Sequence, residues 1–124
     1  MEILSVPGSL WISRLNTDVD VDMRYQASFF SVTRTMDEVS VVGPESVPNA
    51  RVEGPWRAFR VAGVLDFSLT GVLHALTGPL ADAGISVFVQ STFDTDYLLV
   101  RQEAADAAMD AWTDAGHVVL ASDE

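Results

Sequence analysis

The chain contains no cysteine and no lysine, and each absence excludes a class of chemistry. Without cysteine there is neither a disulfide framework nor a thiolate site. Without lysine there is no Schiff-base catalysis and no P-loop lysine for phosphates. All seven basic residues are arginine, which, with abundant Asp, Ala and Val, reads as the coding bias of a GC-rich bacterium. Positive charge is scarce overall: 18 acidic residues give a formal charge of −11. Such a surface repels phosphate backbones and argues against a nucleic-acid partner. No apolar run approaches the roughly 18–20 residues of a membrane span. Met1-Glu2-Ile3-Leu4 shows neither a basic segment nor an extended apolar stretch, so no signal peptide is expected and the cytoplasm is the expected compartment.

What is present is enough apolar material for a core: 48% of 124 residues are hydrophobic, one domain or two closely fused halves. The second half is the more legible. Trp56 to Ala62 alternates as a strand. Asp66 to Gly71 then opens a helix whose apolar face is Leu69, Val72, Leu73, Leu76, Leu80 and Ala83. Pro79 should kink that helix or end it early, and Gly84 fits its terminus. Ile85 to Ser91 alternates again, an Asp/Thr-rich turn follows, and Tyr97 to Arg101 is the next strand. Glu103 to Ala115 is a helix with a stripe of Ala105, Ala108, Met109 and Trp112, and His117 to Ala121 is a last short strand. The order β-α-β-β-α-β is that of an α+β, ferredoxin-like fold, two helices on one face of a four-stranded antiparallel sheet.

The first half reads as strands at Trp11 to Leu15, Phe29 to Arg34 and Val39 to Val42, with a weak helix at most over Asn16 to Gln26. Gly43-Pro44 to Gly54-Pro55 is a turn-rich connector. The expected division is residues 1–54, a reduced copy packed against the rest, and 55–124, a complete unit.

Two segments stand out as chemistry: VLDFSLTGVL (Val64 to Leu73) and GISVFVQSTFDTDYLLV (Gly84 to Val100). A strand-to-helix turn offers free backbone N–H groups and the positive end of a dipole to a carboxylate. The second segment brings Ser91, Thr92 and Thr95 hydroxyls and Asp94 and Asp96 carboxylates to a strand end. Together they offer an anion site and a cation site, the two charges of an α-amino acid. On the residues alone, helix capping by Asp66 or Ser68 and an Asx-type turn at Asp94-Thr95-Asp96 account for the same pattern.

These segments, with PWRAFRVAG before them and FFSVTRTMDEVSVV (Phe29 to Val42), resemble the ACT-domain family related to the CASTOR arginine sensors. The likeness covers most of residues 10–120. It implies an aspartokinase-regulatory-like ACT fold and an amino acid bound where two ACT units meet, in a non-catalytic, homodimeric regulatory protein without cofactor. It implies ligand contacts at Asp66, Phe67, Ser68, Leu69, Thr70 and Gly71, at Ile85, Ser86 and Val87, and at Ser91, Thr92, Phe93, Asp94, Thr95 and Asp96. Asp96 would meet a basic side chain or the α-amine. An alternative is a ligand-independent dimerisation module.

Rival sites are weaker. Asp18-Val19-Asp20-Val21-Asp22 spaces carboxylates as hard-cation loops do, yet lacks the turn Gly and late Glu of an EF-hand, so no metal is expected. His74 and His117 have no partner at catalytic spacing. Glu103, Asp106, Asp110 and Asp114 form a solvated face.

Overall fold

Alternation of apolar and polar residues turns out to begin earlier than the Gly54-Pro55 pair suggests. In the computed structural model, which describes residues 1–23, 26–66 and 70–121, the long central strand starts at Arg51. In chain order the elements are β1 Glu2–Ser5, β2 Leu10–Leu15, β3 Ser31–Arg34, β4 Val39–Gly43, β5 Arg51–Val61, α1 Val72–Asp82, β6 Phe88–Ser91, β7 Asp96–Arg101, α2 Ala105–Asp114 and β8 Val118–Ala121. A 3₁₀ turn, Gln102–Ala104, leads into α2.

Two compact units divide the chain: Met1–Pro7 with Arg57–Glu124, and Gly8–Trp56. The break near residue 55 therefore falls where the Pro/Gly connector ends, but the first seven residues join the second half rather than the first. In the unit that they join, the strands run β8-β1-β5-β7-β6. β1 is antiparallel to β5, pairing Ile3 with Val61, and parallel to β8, pairing Ile3 with Val119. The ferredoxin-like frame is present, but the sheet has five strands and is mixed, where four antiparallel ones were expected. Ile3 explains the capture of β1: its side chain is fully buried in the main core, which four residues of sequence were too short to announce.

That core sits on one face of the sheet. Phe59 and Val61 of β5 and Leu98 and Val100 of β7 meet Leu76 and Leu80 of α1 and Ala105, Ala108 and Trp112 of α2. The two alanines leave room for α2 to approach the strands closely. Trp112 stands edge-on to Phe59, with ring centroids 5.0 Å apart at 73°, and its indole N–H donates to the Leu76 carbonyl at 2.8 Å. One side chain thus ties both helices to the sheet.

The helix α1 corrects two expectations. It starts at Val72, not at Asp66, because Gly71 precedes it at φ 78°, a left-handed conformation outside helical geometry. It also runs past Pro79 to Asp82, so the proline does not end it early. A proline at 79 has no N–H for the Ala75 carbonyl. His117 Nε2 lies 3.2 Å from that oxygen and, as the protonated nitrogen, donates to it. The break is mended from a neighbouring element. The third correction is β6, which starts at Phe88; Ile85 and Val87 instead precede the strand and pack against the core.

The unit Gly8–Trp56 is an antiparallel sheet of order β3-β4-β2-β5 around Leu15, Val39 and Val41. The described part of Asn16 to Gln26 forms a turn, closed by Val19 N–H on the Asn16 carbonyl, rather than a helix. Between the pairs Leu10–Trp56 and Ile12–Glu53, β5 carries one residue more than β2. This bulge carries Gly54-Pro55 inside a strand. Gly54 lies against the Trp11 ring, where a Cβ would come within 2.8 Å of Cδ1 and 3.1 Å of the Leu10 carbonyl oxygen.

Two outcomes follow. Gly54→Ala should lower stability by about 1–3 kcal/mol in urea unfolding, through overpacking and an unfavourable φ of 153°. His117→Ala should cost more in the natural chain than in a Pro79→Ala background, where the helix satisfies its own carbonyl, with a coupling of roughly 0.5–1.5 kcal/mol in a double-mutant cycle.

Candidate functional site

Where β5 ends and β6 turns into β7, a cleft of about 200 Å³ opens in the larger unit. Its lining is Leu65 and Asp66 from the β5–α1 loop, Val72 from the first turn of α1, and Ser91 to Asp96 from the β6–β7 turn. Local hydrogen bonds fix each wall. Thr92 N–H donates to the Thr95 carbonyl at 2.8 Å, and its hydroxyl accepts from Thr95 N–H at 3.3 Å, closing a tight Ser/Thr turn. The buried Thr95 hydroxyl donates to the Val61 carbonyl at 3.0 Å, pinning that turn to the end of β5. Leu65 N–H donates to the Asp94 carbonyl at 2.6 Å, so the loop and the turn are held together.

Strand parity sets which side chains look toward the helices. Asp96 pairs with Ser91 and Leu98 with Val89 in the β6–β7 register, and Leu98 belongs to the helix-facing core. Asp96 and Ser91 therefore lie on that same face, toward the start of α1. The Ser91 hydroxyl donates to Asp96 Oδ1 at 2.6 Å, a short charge-assisted bond that holds the carboxylate in place. Three carboxylates, Asp66, Asp94 and Asp96, line the cleft with no basic residue among its lining. Opposite them stands the N-terminus of α1, with no side-chain cap among the described residues and no acidic residue in its first turn. The cleft thus offers acceptors for a cation and, on its other side, backbone donors for an anion.

The expected contacts divide three ways. Asp66 and all of Ser91, Thr92, Phe93, Asp94, Thr95 and Asp96 come together around the cleft. Thr70 and Gly71 lie exposed just before α1 and do not line it, and neither do Ile85, Ser86 and Val87. Gly71 is needed for its backbone angle, since a Cβ there would meet nothing within 4 Å. Phe67, Ser68 and Leu69 lie outside the described residues. Leu65 and Val72 line the cleft without having been singled out. Val72 could have been found, as the apolar residue one turn before Leu76 that a shortened helix leaves at its mouth. Among the described residues no three His, Cys, Asp or Glu side chains gather as a metal site, the Asp18–Asp22 run included.

Thr95→Val keeps the side-chain shape and removes the buried donor. It should cost about 1–3 kcal/mol in urea unfolding, the penalty for stranding a buried carbonyl, while Thr92→Val, at an exposed position, should cost less.

Known proteins resemble this chain at several levels. An ACT-domain family model matches residues 51–114. Human CASTOR3P is 31% identical over 90 residues, 60% of this chain and 55% of that protein. The human cytosolic arginine sensor for mTORC1 subunit 1 is 28% identical over 93 residues, 64% of this chain and 28% of the sensor. The chain therefore spans about half the length of the first relative and about a quarter of the second. Among solved structures, protein Atu0741 from Agrobacterium tumefaciens superposes with a TM-score of 0.89 at 33% identity, over 99% of this chain and 94% of that one. The aspartate kinase of Clostridium acetobutylicum shares the fold, with a TM-score of 0.64 at 10% identity over 88% of this chain and 33% of the enzyme. The family model and the CASTOR relatives support a regulatory, ligand-binding role in general. With the family model covering more than half its length, and the strand–helix frame described above, the chain belongs to the ACT-domain family.

Proposed function

We propose that the protein is a non-catalytic sensor that binds a free amino acid in the cleft between the β5–α1 loop and the β6–β7 turn. The observation that carries this reading is the opposition of charge: the N-terminus of α1, without a side-chain cap among the described residues, on one side, and Asp66, Asp94 and Asp96 on the other. A zwitterion matches both, its carboxylate toward the backbone N–H groups and its amine toward the carboxylates. Three acids favour an additional cation on the side chain, and the relative named as an arginine sensor is in keeping with that preference. In this reading the cleft is completed where a second ACT unit meets it in a homodimer, as half-open pockets of this size need a further wall to bury a ligand. Gly8–Trp56 is read as a reduced ACT-like unit, and the protein as cytoplasmic.

A thermal-shift screen across the amino acids tests the proposal. A ligand held by the native state at 100 times its Kd stabilises by about 2.7 kcal/mol, a rise of several degrees for a chain this size. Arginine is expected to raise the midpoint most, and Asp96→Asn to abolish the rise while sedimentation still reports a dimer. No shift with any amino acid at millimolar concentration sinks the reading. That result would favour the alternative, a ligand-independent dimerisation module. For that module the supporting observation is exposed apolar surface: Phe93, which lines the cleft, is 79% exposed, and Val64, next in sequence to its Leu65, is 75% exposed.

A further inference from the structure

Seven arginines in a chain of charge −11 are few enough to follow one by one, and two of them stand side by side. Arg14 of β2 and Arg51 of β5 are direct cross-strand partners. Side chains so paired leave the same face with Cβ atoms roughly 5 Å apart, and like charges there repel. With 18 acidic residues available as neighbours, this placement runs against the electrostatics of the chain unless something else meets the pair.

Both arginines line a cleft of about 390 Å³ at the end of β2, within the Gly8–Trp56 unit. Asn16 and Asn49 add amide groups to its rim, Leu15 and Val47 supply apolar surface, and no Asp or Glu is among its lining. Both walls are built. Arg34 donates through Nη1 to the Thr17 carbonyl at 2.7 Å and through Nη2 to the Val19 carbonyl at 2.9 Å, holding the turn that carries Asn16. On the other side, Val47 N–H donates at 3.0 Å to the hydroxyl of Ser13, which is fully buried. Asn49, at φ 62°, then turns the chain into β5. Arg14 Nη2 spends one donor on the Asp37 carbonyl at 3.3 Å, the long end of the hydrogen-bond range. No side-chain hydrogen bond or ion pair of Arg51 forms among the described residues.

We propose that this cleft is a second ligand site, one that takes a small molecule through an oxyanion, a phosphate or carboxylate group bridged by Arg14 and Arg51. Guanidinium groups present paired, coplanar donors that fit either anion, and an anion between them turns mutual repulsion into two attractions. The asparagine amides add neutral donors, and the apolar patch receives the body of the molecule. The volume exceeds that of a bare ion and falls in the range of small-molecule sites. Opposite in charge to the β6–β7 cleft and carried by the other unit, the site stands independently of the amino-acid reading.

Titration of the intact chain with inorganic phosphate, and separately with succinate, at constant ionic strength tests this by amide NMR. Saturable shifts are expected at the amides of Asn16 and of Val47 to Arg51, and the anion that saturates first identifies the oxyanion class. Arg51→Gln should weaken binding about tenfold or more. Arg14→Gln should do the same, and Arg60→Gln, in the other unit, should leave it unchanged. Non-saturating shifts with both anions overturn the proposal, and so does an undiminished affinity in the Arg51 and Arg14 variants.

Discussion

Trp112 is the side chain on which the larger unit depends. Fully buried, it fills the space between α1, α2 and β5, and its one polar atom is satisfied by the Leu76 carbonyl. Aromatic burial of this kind combines the largest apolar contribution available to one residue with a directional constraint. Its ring fixes the spacing of α2 from Phe59, and its N–H fixes the turn of α1 that holds Leu76. The first turn of α1 is one helical turn from that anchor, so the wall of the candidate cleft inherits its position from the core. A site half made of loops is held by an interaction deep beneath it.

The same economy appears on the other wall. Thr95 is buried and bonded to the end of β5, while its neighbours Asp94 and Asp96 reach the cleft. Alternation along the turn thus separates anchoring from presentation. In Gly8–Trp56, Arg34 and Ser13 anchor two turns, and Arg14 and Arg51 present charge between them. Each unit carries a cleft whose walls are fixed by hydrogen bonds to backbone, with acidic residues in the lining of one and arginines in that of the other.

Much of this was legible in the residues. The i, i+3, i+7 stripe of Ala105, Ala108 and Trp112 announces α2, and the alternation from Trp56 announces the second half of β5, because a single buried face imposes its period on the sequence. The Ser91–Asp96 segment was readable as a presenting turn from its density of short hydrogen-bonding side chains. What escaped depended on distant partners. Pro79 reads as a break until His117, 38 positions later, is seen to take up the stranded carbonyl. Gly54-Pro55 reads as a connector until Trp11 is seen opposite the bulge. The Arg14–Arg51 pair is invisible without the register that sets them level.

β1 has a consequence for the order in which the molecule can assemble. Among the described residues its strand partners are the second half of β5 and β8, the first more than 50 residues away and the second at positions 118–121. Gly8–Trp56 is therefore an insertion between the first strand of a unit and the remainder of that unit. Its own sheet is made from shorter loops, the tightest being the β3–β4 hairpin. Contacts of low sequence separation form faster than those that must close a long loop. On a ribosome the inserted unit has all its strands by residue 56, while the surrounding one waits with β1 unpaired on its far side until Val118–Ala121 emerges. Of the described strands, the last in chain order pairs with the first.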